Sequence, residues 1–495
     1  MRTPAAVDFV RDVVDAGRGP ALPWRGLSTP AVRPPRRRLL RRILAVLALI
    51  VAAALVFAVF KILPTATGYV AHNACSAVFV SGRDMAQIAA EDLAPQSYVS
   101  FVVDREQRSV RATVLGLAAR PAVFRPGPGC VPAVDADLAA LRAQGFEPVR
   151  APASDAPWPQ GDGDPAQQGP PGLDRAALDA AVAAGFDEPN PKSPRRTRAV
   201  VVVHDGVLVA ERYAAGFDKH TPQLGWSMSK SVTSALVGVL VGRGVLDPKA
   251  PAPVPAWADD PRKAVTLDQL LRMSSGLEFE ERYGMLADAT HMLFEVDDAA
   301  GFALARPLAH APDTVYSYSS ATSNIISWIV RRQFTDDGLY HRFPHEALFA
   351  PLGMRSAVFE TDAAGTLLGS SFVYASARDW ARFGLLYLQD GVWDGVRILP
   401  EGWVDYSRKP TPTSATGEYA AHFWANAGKP DDPAARRLPH LPVDAYQASG
   451  FQGQAVLIVP SRKTVIVRLG MTHDRAAWDL DTFAAGVLAA LPAGP

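Results

Sequence analysis

The stretch LGWSMSKSVT at 224–233 sets a lysine, Lys230, three residues after a serine, Ser227. Residues three apart share one helix face. Beyond Ser227, the residues Val232, Ala235, Leu236, Val239 and Leu240 recur at the spacing of a helix packed on a core. A cation in the first turn of such a helix is unfavourable, because the helix dipole prefers negative charge at that end. Either Lys230 is a solvated lysine that follows a serine by chance, or the pair is a nucleophile with its activator. A serine hydroxyl becomes a nucleophile only when a neighbour takes its proton. Lysine can do this only if burial or nearby positive dipoles bring its pKa down from about 10.4, and the head of a buried helix offers both. No Gly-x-Ser-x-Gly elbow occurs in the chain, which argues against a Ser-His-Asp triad. His204, beside a turn, reads as a solvated histidine rather than a base.

Two further stretches carry groups that suit acyl transfer. APDTVYSYSSATSN at 311–324 is a polar loop running into the apolar IISWIV, and Tyr318, Ser319 and Ser320 put a phenol and hydroxyls at its edge. Packing of Tyr316 and Tyr318 as loop aromatics is the alternative. GFQGQ at 450–454 has two glycines that let a substrate approach the backbone, where an N–H can face a developing oxyanion. The same pattern also suits an ordinary turn into a strand.

The elements that must position these groups are legible around them. TRAVVVVHDGVLVAERY at 197–213 is two β-rich runs joined at Asp205-Gly206, and AVLIVPSRKTVIV at 455–467 is a second hairpin. Helices fall between. Thr266 and Gln269 form a capping box, and Ser376 with Asp379 opens a helix whose Trp380, Phe383, Gly384, Tyr387 and Leu388 share a face. Strands at both ends with helices between predict an antiparallel sheet built from the two hairpins and covered by helices.

Upstream of 172 the composition changes. Residues 43–60, ILAVLALIVAAALVFAVF, carry no charge, Gly or Pro, and follow a cluster of arginines at 33, 36, 37, 38, 41 and 42. About 18 residues at ~1.5 Å each cover ~27 Å, close to a hydrocarbon core. The basic flank predicts a tail held in the cytoplasm and an extracytoplasmic remainder. A cleaved signal peptide is the competing reading, although its apolar region and leader would be shorter. The organisation expected is a cytoplasmic tail at 1–38 with a short amphipathic helix near 7–16, a transmembrane helix at 39–63, and a small module at 64–150. A Pro/Gly-rich linker follows at 151–171, then a catalytic domain at 172–495. SYVSFVVDREQRSVRATVLG at 97–116 predicts two strands in the module. The only two cysteines, Cys75 and Cys130, both lie past the span, which suits a disulfide in an oxidising compartment; two free buried thiols are the alternative. With 50 basic and 50 acidic residues the chain has no global charge to favour nucleic acid, and no Cys/His spacing suggests zinc or another metal.

Taken in order, GWSMSKSVTSALVG, LLRMSSGL, YSYSSATSN, GSSFVYASARDWARFGLLYLQDGVW and GFQGQ resemble the serine hydrolases of the β-lactamase superfamily, in the branch of class C β-lactamases, esterases and 6-aminohexanoate-dimer hydrolases. The resemblance implies an α+β fold, an antiparallel sheet flanked by helices with a helical subdomain. It implies Ser227 as nucleophile, Lys230 as the group that keeps hydroxyl and phenol poised, and Tyr318 as acid/base for the leaving group. The backbone N–H groups of Ser227 and Gln454 would form the oxyanion hole, and Ser320, Phe451, Gln452 and Gly453 would contact substrate. Two positions depart from the family pattern. Ser320 stands where Tyr-x-Asn has its amide, and Phe451-Gln452-Gly453 stands where Lys-Thr-Gly has its cation. The second departure leaves no cation there for a substrate carboxylate, which favours neutral esters and amides. The expected activity is cofactor-free hydrolysis of a small-molecule ester or amide by a protein anchored in the cytoplasmic membrane, with its catalytic domain on the periplasmic side. A β-lactam-binding sensor or a non-catalytic binding domain of the same fold is the alternative.

Overall fold

The computed structural model describes residues 36–165, 169–429, 431–432 and 434–492. The amphipathic helix expected near 7–16 and nearly all of the 1–38 tail lie outside them. The chain divides into two compact units, residues 1–56 and 57–495.

In the first unit, helix α1 (Arg36–Phe57) carries the apolar stretch with its side chains exposed. Helical structure does not stop at 63. A π-turn (Ala58–Ile62) leads into α2 (Leu63–Phe79), and the whole run is long and apolar enough to cross a membrane. From Pro64 onward the burial reverses, and Val70, Ala71, Ala74 and Cys75 have no exposed surface.

Residues 64–150 belong to the same compact unit as the rest of the chain to 495. The two expected strands are β1 (Ser100–Asp104) and β2 (Ser109–Val114), and β3 (Leu117–Arg125) and β4 (Gly129–Pro132) extend them into an antiparallel sheet ordered β1-β2-β3-β4. Its core is shared with α2, to which the Cys75–Cys130 disulfide ties β4. A buried carboxylate joins this module to the larger fold. Glu360 accepts from the Ser76 hydroxyl (2.7 Å) and the Cys130 amide (2.8 Å), and lies 2.9 Å from His72 Nε2. Three chain regions, α2, β4 and the segment that holds Glu360, therefore meet at one fully buried side chain, which is tolerable only because its oxygens are so well supplied with donors.

The 151–171 segment does not run as a free linker. Trp158 is buried in the main core, and the following carbonyls are held by two arginines of a later helix. Arg382 donates to the carbonyls of Pro159 (2.9 Å) and Gly161 (2.6 Å), and Arg378 to that of Asp162 (2.8 Å). A segment poor in apolar residues is thus ordered by backbone hydrogen bonds to distant guanidinium groups.

The expected hairpins form as β5 (Thr197–His204) with β6 (Val207–Tyr213), and β9 (Gln454–Val459) with β10 (Thr464–Gly470). With β7 (Trp424–Ala425) and β8 (Tyr446–Gly450) they build one antiparallel sheet of order β7-β8-β9-β10-β5-β6. Its central strands are buried along their whole length because both faces are covered. Helices α3 (Arg175–Ala184) and α7 (Leu480–Ala490) pack on one face, while α4 (Met228–Gly242) and α6 (Ala377–Leu388) pack on the other with α5 (Ser320–Arg331) behind them. Gly384 lets α6 touch the sheet, since a Cβ there would come within 2.6 Å of Val465 Cγ1. His204 is not solvated as its turn suggests. It is 6 % exposed and pairs with Thr464 Oγ1 at 3.0 Å, on the strand beside it.

The disulfide closes a 55-residue separation between α2 and β4. Replacing both cysteines with alanine should lower the unfolding free energy by about 3 to 4 kcal/mol, read from a denaturant titration; an unchanged midpoint would mean that the crosslink contributes nothing.

Candidate active site

Ser227 is the N-cap of α4, yet its side chain makes no capping bond, so the hydroxyl stays available to other partners. The residue before it, Trp226, is held at φ 48°, a left-handed conformation that costs a large side chain roughly 1 to 3 kcal/mol. Its indole donates to Gln452 Oε1 at 3.1 Å, and Gln452 is itself at φ 63°. Two strained non-glycine residues thus brace each other, one beside Ser227 and one beside Gln454. Gly450 allows the two turns to meet, because a Cβ there would sit 2.1 Å from the carbonyl oxygen of Gly225.

Lys230 lies beneath Ser227, 1 % exposed. Its Nζ has three oxygen partners: Ser227 Oγ at 3.2 Å, Ser320 Oγ at 3.0 Å and the Ser370 carbonyl at 3.0 Å. Burial pulls its pKa down to about 8 against the opposing charge of Glu281. The three partners are not equivalent. The Ser370 carbonyl can only accept. Ser320 Oγ gives its single proton to Glu281 Oε1 at 2.7 Å, while Glu281 Oε2 takes the Ser320 amide at 2.6 Å at the head of α5. Only the Ser227 hydroxyl has a proton left to give to a neutral lysine. Of the three partners, Ser227 is therefore the one that can exchange a proton with Lys230.

Tyr318 stacks on this lysine, its ring centroid 4.8 Å from Nζ, and leans on Tyr419 and Trp424. Burial first, then the charge of Glu281, hold its phenol well above its ordinary range, partly offset by a hydrogen bond to Ser227. It is a protonated donor at neutral pH. Gln454 opens β9 with its side chain locked to Gly470 of β10, which leaves its backbone as the part that faces the pocket.

A cavity of about 410 Å³ lies over these groups and brings Ser227, Tyr318, Phe451, Gln452, Gly453 and Gln454 onto one wall. Lys230 and Ser320 sit below the floor. Ser320, expected to meet substrate, is instead 0 % exposed and committed to Lys230 and Glu281. Two residues outside the sequence reading also belong here. Glu281 fixes the proton of Ser320, and Tyr283 lines the cavity with its phenol in hydrogen-bonding contact with Ser227 and Ser320. Both come from EFEERYG, a loop with no period or motif to single them out. Phe451 stands where the family lysine would be, while two other cations, Arg437 and Arg475, line the same cavity, Arg437 at 4.1 Å over the Trp424 ring. Among the described residues no group of three His, Cys, Asp or Glu is placed to hold a metal.

Residues 180–485 match the Beta-lactamase family. A 6-aminohexanoate-dimer hydrolase of Paenarthrobacter ureafaciens is 27% identical over 307 residues, covering 56% of this chain and 73% of that protein. Among solved structures, a β-lactamase-like protein of Bacteroides dorei aligns with TM-score 0.50 at 16% identity over 64% of this chain and 99% of its own. EstCE1, a hydrolase with promiscuous acyltransferase activity, aligns with TM-score 0.52 at 14% identity over 64% and 98%. These two share the fold. Because the family match takes in most of the chain and both hairpins of the sheet, the protein belongs to the β-lactamase family of serine hydrolases.

Proposed function

We propose that the protein is a membrane-anchored serine hydrolase that cleaves ester or amide bonds of small molecules through an acyl-enzyme on Ser227. The observation that carries this reading is the contact of Lys230 Nζ with Ser227 Oγ at 3.2 Å, with every other partner of the lysine unable to return a proton. Neutral Lys230 takes the Ser227 proton as Oγ attacks the carbonyl carbon. The backbone N–H groups of Ser227 and Gln454 meet the oxyanion. Tyr318 gives its proton to the leaving oxygen or nitrogen as the bond to the acyl carbon breaks, and is reprotonated through Lys230. Water then releases the acyl group by the same steps in reverse, with the proton passing back to Ser227. The named activity of the Paenarthrobacter relative supports hydrolysis.

Anchoring through α1, with the catalytic unit outside the cytoplasm, is supported by the arginine cluster ahead of the apolar stretch and by a disulfide beyond it.

Ser227→Ala should abolish turnover of nitrophenyl esters, and Tyr318→Phe should lower it by about 10² to 10⁴ with folding intact. Unchanged turnover in either would remove that residue from the mechanism. The pH profile of kcat/KM should rise through about 8, as Lys230 loses its proton. Since Glu281 raises the lysine pKa, Glu281→Gln should move that midpoint to lower pH, and a profile without a step near 8 would exclude Lys230 as the base.

A further inference from the structure

A second cavity, about 360 Å³, adjoins the one over Ser227 and shares Tyr283, Phe451, Gln452 and His473 with it. The rings of Tyr283 and Phe451 stack at 5.1 Å and form the partition, with Trp226, the neighbour of Ser227, edge-on to both. In contact, the two rings close the partition; both are partly exposed, Tyr283 39 % and Phe451 40 %, so displacing one ring joins the two spaces.

The chemistry of that space is apolar. No Asp, Glu, Lys or Arg lines it. Several of its polar side chains are already engaged. Thr65 donates to Glu295, Thr290 to the carbonyls of Gly284 and Ala287, and His473 is paired with the Glu91 carbonyl and Gln452. The remaining wall is largely aromatic and aliphatic, from Ala66, Tyr69, Pro95, Phe294 and Phe451. Its rim is open and apolar, with Tyr98 54 %, Met285 57 % and the adjoining Leu286 58 % exposed.

Six of the fifteen residues that line the cavity lie outside the family domain. Thr65, Ala66, Tyr69, Pro95, Gln96 and Tyr98 precede residue 180, where the family match begins. Thr65 also follows the end of the apolar stretch at Phe60 by five residues, a distance of at most about 18 Å even fully extended.

We propose that the second cavity holds the unbranched hydrocarbon chain of the substrate, so that the ester or amide cleaved at Ser227 belongs to a single-chain amphiphile. This rests on the acyl-transfer reading of Ser227. The chain displaces the Phe451 ring to enter while the carbonyl stays at Ser227, and the residues ahead of the family domain supply the specificity.

The test uses the full chain in phosphatidylcholine nanodiscs and a series of nitrophenyl esters from acetate through butyrate to octanoate. Each methylene buried changes affinity by about fourfold, so kcat/KM should rise at least about tenfold from acetate to octanoate. Gly284 lines the cavity and a Cβ there meets nothing within 4 Å, so Gly284→Trp fills the space without a backbone clash. It should leave acetate turnover within about twofold and remove the rise toward octanoate, and partition into the nanodisc cannot produce this because it is common to both proteins. Gln96→Trp gives the same obstruction from the opposite wall. Octanoate supplied from water and octanoate preloaded in the nanodisc bilayer are compared, and the faster route identifies the source of the chain. A wild-type profile that is flat or falls with chain length would overturn the proposal, as would equal loss for both esters in the two variants. No acetate turnover and no fluorophosphonate labelling of Ser227 would instead overturn the acyl-transfer reading, and this proposal with it.

Discussion

The interaction on which the site depends is the burial of one amine. Lys230 has no water to solvate it, and a fall from the ordinary lysine value to about 8 corresponds to about 3 kcal/mol of preference for the neutral form. Three oxygens from three distant parts of the chain converge to offset that cost: Ser227 on the same turn, Ser320 at the head of α5, and the Ser370 carbonyl ahead of the small strand Val373–Ala375. Each demands its own support. Glu281 caps the amide and hydroxyl of Ser320, Asn324 Oδ1 accepts from the Ser370 amide at 3.2 Å, and Gly384 brings α6 against the sheet on the same side of the fold. The same carboxylate that orders Ser320 also raises both Lys230 and Tyr318. Glu281 is thus the electrostatic counterweight to desolvation, and in the proposed mechanism it sets how much neutral lysine exists at a given pH.

The part of the chain ahead of the family domain is joined to this machinery by buried polar contacts as well as by the packing of Tyr69 and Trp158 on the main core. Glu360 gathers His72, Ser76 and the Cys130 amide, while Arg378 and Arg382 hold the carbonyls of the segment at 159–162. Buried charge with few partners would be a liability, and here each group is saturated. The consequence for function is geometric. Thr65, Ala66, Tyr69, Pro95, Gln96 and Tyr98 line the second cavity, which meets the catalytic pocket at Tyr283, Phe451, Gln452 and His473.

Local spacing made the chemistry legible. Ser227 and Lys230 are one turn apart, Tyr318 and Ser320 sit at the start of a helix with a recognisable cap, and GFQGQ stands directly before a strand, so short-range rules marked each stretch, while the order of the motifs and the family resemblance supplied the roles. The two hairpins were equally plain because their turns carry the residues such turns require. What escaped was long-range. Glu281 and Tyr283 lie in a loop without period, and Arg437 and Arg475 reach the pocket only through tertiary folding. The 151–171 segment looked like a linker because its partners, Arg378 and Arg382, are more than 200 residues away. Ser320 was legible as a site residue, but its orientation toward Glu281 rather than toward the pocket depends on a carboxylate that no sequence pattern marks.

The central claim is that hydrolysis passes through an ester on Ser227 activated by Lys230. The most direct measurement is acid quenching during steady turnover of a nitrophenyl ester, followed by peptide mapping by mass spectrometry. The account predicts an acyl adduct on the peptide containing Ser227, on Ser227 itself, at a level that decays with the measured rate of deacylation. Steady turnover with no adduct, or with the adduct on another side chain, would contradict it.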